Sequence, residues 1–186
     1  MTDASDAEAG RGADGRSAGF RRASTDDGAT LSALAMRAKA FWGYPEDFLE
    51  ACRRELEYDA GYIARHTVFV LEQLGTVLGF YSLERLDDGE VEMGALFVEP
   101  EHIGRGHGRR LMKHAENQAR RLDATRILIH GDPHAVGFYL AMGARYAGEV
   151  PSGSIPGRML PLFQLSLDPA TSASSRTDSR KDGRGA

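Results

Sequence analysis

Apolar positions recur with two different periods between about residues 19 and 167. Where every second residue is apolar, the pattern predicts a β-strand, and where apolar residues return every three or four positions, it predicts a helix. Strands are predicted at residues 20–23, 67–71, 76–85, 90–98, 126–130, 145–150 and 159–167. Helices are predicted at residues 26–42, 45–56, 106–122 and 135–142, with residues 58–66 as a connection. This order favours an α/β fold with a mixed, mostly antiparallel central sheet and helices on both faces.

The strand predicted at residues 90–98 has the clearest alternation in the chain. One predicted face carries Val91, Met93, Ala95 and Phe97, and the other carries Glu92, Leu96 and Val98. The preceding Asp87-Asp88-Gly89 is typical of a tight hairpin turn. Residues 76–98 are therefore predicted to form two antiparallel strands.

Both ends of the chain lack this periodicity. Residues 1–18 are rich in Ala, Gly and acidic residues, and residues 169–186 are rich in Ser, Thr, Arg, Lys and Asp. Segments with so few large apolar residues cannot bury a core. We therefore predict one folded domain at residues 19–168 between two disordered tails.

Composition narrows the classes of function. Of the 186 residues 41% are hydrophobic, and the net charge of -4 argues against a nucleic-acid partner. No apolar run approaches the roughly 20 residues of a membrane span, so no membrane partner is expected. The N-terminus does not resemble a signal or transit peptide. A single cysteine, Cys52, fits a reducing compartment, and a cytoplasmic location is predicted.

A glycine-rich segment follows the strand at residues 90–98. Gly104, Gly106 and Gly108 stand between the strand's end and the next predicted helix. Glycine permits a tight turn and the close approach of a ligand to the backbone. The free N–H groups and the dipole at a helix N-terminus attract an anion. The segment is therefore predicted to hold a phosphate-containing ligand, most simply a pyrophosphate.

Two common phosphate-binding motifs do not fit this segment. A P-loop requires Lys followed by Ser or Thr after its last glycine, whereas Arg109 and Arg110 follow Gly108. The dinucleotide fingerprint requires a sixth-position glycine, and counting from Gly106 that position is Leu111.

Two motifs resemble those of the GCN5-related N-acetyltransferase (GNAT) superfamily. The acyl-CoA pyrophosphate loop of that family, R/Q-x-x-G-x-G/A, corresponds to residues 103–108, with Ile103 where the family usually has Arg or Gln. A later helix motif, N/D-x-x-A-x-x-F-Y followed by x-x-x-G, corresponds to DPHAVGFYLAMG at residues 132–143. The resemblance spans about residues 19–167. It implies the GNAT fold and acetyl-CoA as co-substrate.

The resemblance also implies roles for individual residues. Tyr139 would donate a proton to the departing thiolate, although a helix aromatic beside Phe138 could also be a core residue. Backbone N–H groups at the end of the strand would hold the carbonyl oxygen and the pantetheine arm. Asp132 matches a position that contacts the cofactor arm, or it caps the following helix. The predicted acyl-CoA-binding residues are Phe97, Val98, Ile103, Gly104, Arg105, Gly106, His107, Gly108, Arg109 and Asp132.

Acetyl transfer to an amine also requires a proton acceptor, because an alkyl ammonium has a pKa near 10. Glu92 is the predicted base, since it is placed on one face with Leu96 and Val98, near the expected thioester. Glu90 is the alternative, and either residue could be a solvated strand glutamate. The histidines have no zinc-site spacing, so no metal is predicted. Cys52 is far in sequence from both motifs, and direct attack without a covalent intermediate is expected.

The acceptor is predicted only as an amine of a small molecule or peptide. Trp42, Tyr44 and Arg158 lie in segments that border the acceptor side in the family. Because dimers are frequent among similar proteins, a homodimer is compatible with the sequence. The rival hypothesis is a non-catalytic acyl-CoA-binding module on the same fold.

Overall fold

A computed structural model of the protein describes residues 17–86 and 88–167. The predicted tails fall almost entirely outside these ranges, as does Asp87 of the predicted hairpin turn. The strands are β1 (Gly19–Arg22), β2 (Thr67–Gln73), β3 (Thr76–Arg85), β4 (Glu90–Val98), β5 (Arg126–His130), β6 (Arg145–Pro151) and β7 (Met159–Ser166). The helices are α1 (Gly28–Ala40), α2 (Glu46–Cys52), α3 (Ala60–Arg65), α4 (His107–Arg121) and α5 (Val136–Ala141). Short 3₁₀ turns lie at Thr25–Asp27, Pro100–His102 and Pro133–Ala135.

All of the predicted strands are confirmed, with ends that differ by no more than two residues. The connection predicted at residues 58–66 is wrong, because this segment contains α3. The carboxylate of Asp59 caps α3 by accepting a hydrogen bond from the N–H of Tyr62 at 2.6 Å, and Ile63 is buried. A six-residue helix has fewer than two turns, too few for its apolar spacing to be recognised.

The strands form one sheet in the order β1-β2-β3-β4-β5-β7-β6, which confirms the predicted mixed sheet. The pair β4–β5 is parallel, and the other neighbouring strands in the described residues are antiparallel. The pairing of β4 with β5 ends at Glu92 and Leu128. Beyond this point β4 continues to Val98 without a ladder to β5. The two central strands therefore part and leave an opening in the sheet.

Helices cover both faces of the sheet. On the face that we call the α1 face, Leu31, Cys52 and Ile63 pack with sheet residues in one buried cluster. On the opposite face, the α4 face, Leu111 and Tyr139 belong to a second buried cluster. The strands β2, β3 and β4 therefore supply side chains to both cores, and the opening between β4 and β5 connects the two faces.

A β-bulge in β4 contradicts the predicted strict alternation. Ser82 of β3 pairs with Ala95, but the next residue, Leu83, pairs with Met93, so Gly94 is the extra residue. A bulge places two residues opposite one and shifts the alternation by one position. The apolar pattern does not reveal it, because the small Gly94 and Ala95 are compatible with either face.

The bulge changes which residues share a face with Glu92. Met93 contributes to the core on the α4 face, as Leu96 does beyond the bulge, whereas Ala95 packs on the α1 face. Glu92 therefore shares the α1 face with Ala95 and Phe97. The prediction that it shares a face with Leu96 and Val98 is wrong.

Candidate active site

A cavity of about 500 Å³ lies where β4 and β5 part. Its walls come from α1, β4, the segment between β4 and α4, the end of β5 and α5. The predicted site residues that line it are Phe97, Val98, Ile103, Gly104, Gly106, Gly108, Arg109, Asp132 and Tyr139. Three other predicted residues, Arg105, His107 and Glu92, are not part of its lining. The fold thus brings most of two sequence motifs, about 30 residues apart, to one cavity.

The turn before α4 depends on two of its glycines. Gly104 and Gly106 have φ angles of +80° and +82°, a left-handed conformation that is costly for other residues. A Cβ atom at either position would meet no described atom within 4 Å, so both glycines face open space. The first bond of α4 runs from the N–H of Arg110 to the carbonyl of Gly106, at 3.1 Å. The N–H groups of residues 107–109 have no helical acceptor and remain available to a ligand.

Gly108 has a different role from the other two glycines. A Cβ atom at this position would lie 3.3 Å from the ring of Phe138 and 3.9 Å from the Val98 side chain. This glycine therefore permits the close packing of α4 against α5 and β4. Its φ angle is not in the left-handed region.

The two arginines at the start of α4 lie in different surroundings. Arg109 lines the cavity, whereas Arg110 donates a hydrogen bond to the carbonyl of Ala18 at 2.6 Å, near β1. Burial lowers the pKa of His107, and the charges of Arg110, His102 and Arg105 lower it further. His107 is therefore neutral at pH 7, and the arginines supply the positive charge at this end of the cavity.

Tyr139 lies on α5 with only 7% of its surface exposed, and it lines the cavity. Its ring packs against those of Phe138 and Phe163, at centroid distances of 5.2 and 5.5 Å. Burial raises the pKa of Tyr139, and the charge of Asp132 raises it further. The hydroxyl is therefore protonated at neutral pH and is able to donate a hydrogen bond or a proton.

Asp132 follows β5 and is held by several donors. Its carboxylate accepts hydrogen bonds from Lys39 Nζ at 2.8 Å, the Tyr44 hydroxyl at 2.9 Å and Arg158 Nη2 at 3.5 Å. It also caps the turn Pro133–Ala135 by accepting from the N–H of His134 at 3.0 Å. Burial would raise the pKa of Asp132, but the bonds from Lys39 and His134 outweigh it and lower the pKa.

These contacts bear on two sequence predictions. Capping by Asp132 is confirmed, and contact with the cofactor arm stays a prediction. Tyr44 and Arg158, expected beside the acceptor, meet at the Asp132 carboxylate and do not line the cavity. Lys39, which the sequence did not single out, is the strongest partner of Asp132 and also lines the cavity wall.

Glu92 is paired with a histidine at the edge of the cavity. Its Oε1 lies 3.1 Å from Nδ1 of His130, and His130 lines the cavity. Burial raises the pKa of Glu92. The charge of His130 lowers this pKa, and the charge of Glu84 raises it. The alternative base, Glu90, is instead 3.2 Å from Arg126, where β4 and β5 are still paired.

The cavity wall near α1 contains further residues that sequence reasoning mostly missed. Trp42 was expected here; it is 40% exposed and stacks on His134 at 5.0 Å with an interplanar angle of 2°. Glu55, Leu56 and Tyr58 also line this region. No local pattern marks these three residues, because the chain after α2 reaches the cavity only through tertiary packing.

Other candidate chemistry is limited in the described residues. Cys52 is buried, with Sγ 3.7 Å from the Ser154 hydroxyl, and is not part of the cavity lining. Within residues 17–86 and 88–167, no three His, Cys, Asp or Glu side chains are grouped to hold a metal ion. The described helices include none with the length and apolar character needed to cross a membrane.

The model of the acetyltransferase (GNAT) family matches residues 33–144 of this chain. This match contains the sequence motifs and most of the cavity lining described above. No curated protein sequence matches the chain significantly.

Several solved structures share the fold. PaiA N-acetyltransferase from Thermoplasma acidophilum, in complex with coenzyme A, is 20% identical with a TM-score of 0.68, covering 81% of this chain and 99% of that one. YncA from Salmonella typhimurium, with its cofactor acetyl-CoA, is 22% identical with a TM-score of 0.61, covering 90% and 99%. The ribosomal-protein-S18-alanine N-acetyltransferase from Escherichia coli is 18% identical with a TM-score of 0.60, covering 81% and 94%. At such identities the similarity shows the fold alone.

Proposed function

The chain belongs to the GNAT acetyltransferase family, and from this we propose that it transfers an acetyl group from acetyl-CoA to an amine of a small molecule or peptide. The observation that carries the proposal is the single cavity that joins the glycine turn at residues 103–108 to Tyr139. Structural neighbours that contain coenzyme A or acetyl-CoA support the choice of co-substrate. No observation favours the non-catalytic binding module.

In this proposal the pyrophosphate binds at the glycine turn. The N–H groups of residues 107–109 lack helical acceptors and can donate to phosphate oxygens. Gly104 and Gly106 leave the space beside the backbone open, so phosphate can approach closely. Arg109 on the cavity wall, with Arg105 beside the turn, adds positive charge.

The pantetheine arm then lies along β4. Beyond Glu92 the described part of β4 has no ladder to β5, so its backbone N–H and C=O groups on that side are available. An extended arm can bond to such an edge in the way an added strand does. The backbone at Phe97 and Val98 would hold the arm, and an N–H directed at the thioester oxygen would stabilise the charge that develops there.

The acceptor nitrogen attacks the thioester carbon directly. The C–N bond forms, the C–S bond breaks, and Tyr139 donates its hydroxyl proton to the coenzyme A sulfur. Burial favours the protonated phenol. Cys52 takes no part, because its sulfur lies outside the cavity lining. Metal-free transfer, a cytoplasmic location and a homodimer remain predictions.

Turnover with a panel of amines tests the proposal. The full chain is mixed with acetyl-CoA and separately with alkyl amines, aromatic amines, amino acids and peptides with a free N-terminus or lysine. We expect release of the coenzyme A thiol that depends on one acceptor class, with the acetylated amine identified by mass spectrometry. Saturable binding of coenzyme A without turnover on any amine would contradict the proposal and favour the binding module.

A further inference from the structure

An imidazole–carboxylate pair lies at the edge of the cavity, and we infer that His130 accepts the proton of the acceptor ammonium while Glu92 positions His130. This inference rests on the proposed acetyl transfer and differs from the sequence prediction that Glu92 itself is the base. His130 lines the cavity, and its Nδ1 lies 3.1 Å from Oε1 of Glu92. Glu92 lies behind it and is not among the residues that line the cavity.

The pair exists because of where the central strands separate. Glu92 is opposite Leu128 in the last paired position, and His130 follows two residues later on β5. Side chains two positions apart on a strand share a face, so His130 extends from the same face as Leu128 beyond the end of the ladder. Its neighbour Ile129 belongs to the core on the α4 face, which places His130 and Glu92 on the α1 face.

This position puts the proton acceptor and the proton donor on opposite sides of the opening. Tyr139 belongs to α5 and to the core on the α4 face. His130 lies on the α1 face, with Lys39 and Trp42 of the neighbouring cavity wall. A thioester held between the strands would have the departing sulfur near Tyr139 and the incoming amine near His130.

The nitrogen atoms of His130 have distinct roles in this arrangement. The Glu92 carboxylate, 3.1 Å from Nδ1, favours the neutral tautomer that has its proton on Nδ1 and its lone pair on Nε2. The His130 side chain is 37% exposed, so a proton taken up from the amine can pass to solvent. Glu92 fixes the tautomer and stabilises the imidazolium that forms, as a carboxylate does for a catalytic histidine in hydrolases.

The charged groups around the pair are mostly acidic. Glu84 of β3 is the cross-strand partner of Glu92 and accepts a hydrogen bond from the Tyr62 hydroxyl of α3 at 2.7 Å. His66, after α3, has Nε2 4.0 Å from Glu84 Oε2. Asp132, two residues beyond His130, is neutralised by Lys39 and Arg158 (see above), and Glu55 lines the cavity.

The protons of the reaction balance with these two groups. The acceptor ammonium gives its first proton to Nε2 of His130, and the neutral amine attacks the thioester carbon. After the C–N bond has formed, the nitrogen loses a second proton to solvent. The thiolate takes the Tyr139 proton, which solvent replaces, and His130 releases its proton to solvent. The net result is amide, coenzyme A thiol and one proton.

The pH dependence of kcat/KM for the acceptor, measured between about pH 5 and 9, tests the inference. For His130→Gln we expect kcat/KM at neutral pH to fall about 100-fold, as for removal of a general base. The decrease in kcat/KM toward low pH that comes from the enzyme, its acid limb, should also disappear. For Glu92→Gln we expect a smaller loss of kcat/KM, because His130 keeps its ring but loses the carboxylate that positions it. The acceptor amine itself titrates near pH 10, and its contribution to the pH profile is the same for all variants.

Two further variants separate catalysis from structure. The activity of His130→Ala is expected to recover in added imidazole, which a purely structural defect would not do. Glu149→Gln, on the exposed strand β6, is the matched carboxylate control and should keep the parental profile. Coenzyme A affinity is measured for each variant and should stay at the parental value.

The outcomes distinguish the two proposals. A parental rate and acid limb in His130→Gln would overturn the role of His130 and leave acetyl transfer standing. Loss of the acid limb in Glu92→Gln or Glu90→Gln, but not in His130→Gln, would make a carboxylate the base. If the parent protein releases no thiol with any amine, both the proposed function and this inference fail.

Discussion

Replacement of Tyr139 by phenylalanine is expected to lower kcat by about 100-fold, within the usual range for loss of a general acid. The phenyl ring fills the same space against Phe163 and Phe138, so the packing of α5 is retained. The variant lacks only the hydroxyl, which the buried site keeps protonated in the parent. The thiolate would then depart without a proton donor. Steady-state kinetics with the acceptor found in the amine panel provide the measurement.

Two controls accompany this variant: its affinity for coenzyme A and the same substitution at a second tyrosine. Coenzyme A should bind Tyr139→Phe as tightly as it binds the parent, because no backbone donor has changed. Tyr146→Phe removes a hydroxyl from a tyrosine that is 56% exposed on β6, and it should keep the parental kcat. An unchanged kcat in Tyr139→Phe would remove this residue from the mechanism.

Gly106→Val is expected to weaken coenzyme A binding by about 10- to 100-fold. The φ angle of +82° at this position disfavours valine, and the side chain would enter the open space beside the turn. Displacing one backbone N–H from a phosphate oxygen removes a charge-assisted hydrogen bond worth about 1.5–3 kcal/mol, which corresponds to this change in affinity. Titration calorimetry with coenzyme A measures it.

Gly75→Val is the matched control for this substitution. Gly75 lies in the β2–β3 hairpin with a φ angle of +79°, and a Cβ atom there also meets open space. Both variants should lose similar stability in urea unfolding because both place valine in a left-handed conformation. Only Gly106→Val should lose affinity. Parental coenzyme A affinity in that variant would contradict the role of the turn.

The regular part of the fold is readable from the sequence because it depends on local periodicity. The strands β3 and β4 are rich in β-branched, aromatic and other apolar residues, and their bounds are those predicted. The helix α3 is missed because six residues, capped by Asp59, carry too little pattern. The bulge at Gly94 is missed because it depends on the pairing of β4 with β3, which only the folded sheet contains.

The candidate site also has parts that short sequence motifs reveal and parts that depend on the folded chain. The glycine turn and Tyr139 stand in short motifs, and the fold brings both to one cavity. The motif does not show that Gly108 is required for packing against Phe138. The pairs Lys39–Asp132 and His130–Glu92 join residues 93 and 38 positions apart, so no local pattern could have indicated them.

A crystal structure of the protein with bound acetyl-CoA tests the central claim most directly. We predict the pyrophosphate on the N–H groups of the glycine turn, the pantetheine arm along the free edge of β4, and the sulfur within hydrogen-bonding reach of the Tyr139 hydroxyl. A cofactor bound elsewhere on the protein, or a thioester directed away from the opening between β4 and β5, would contradict the account.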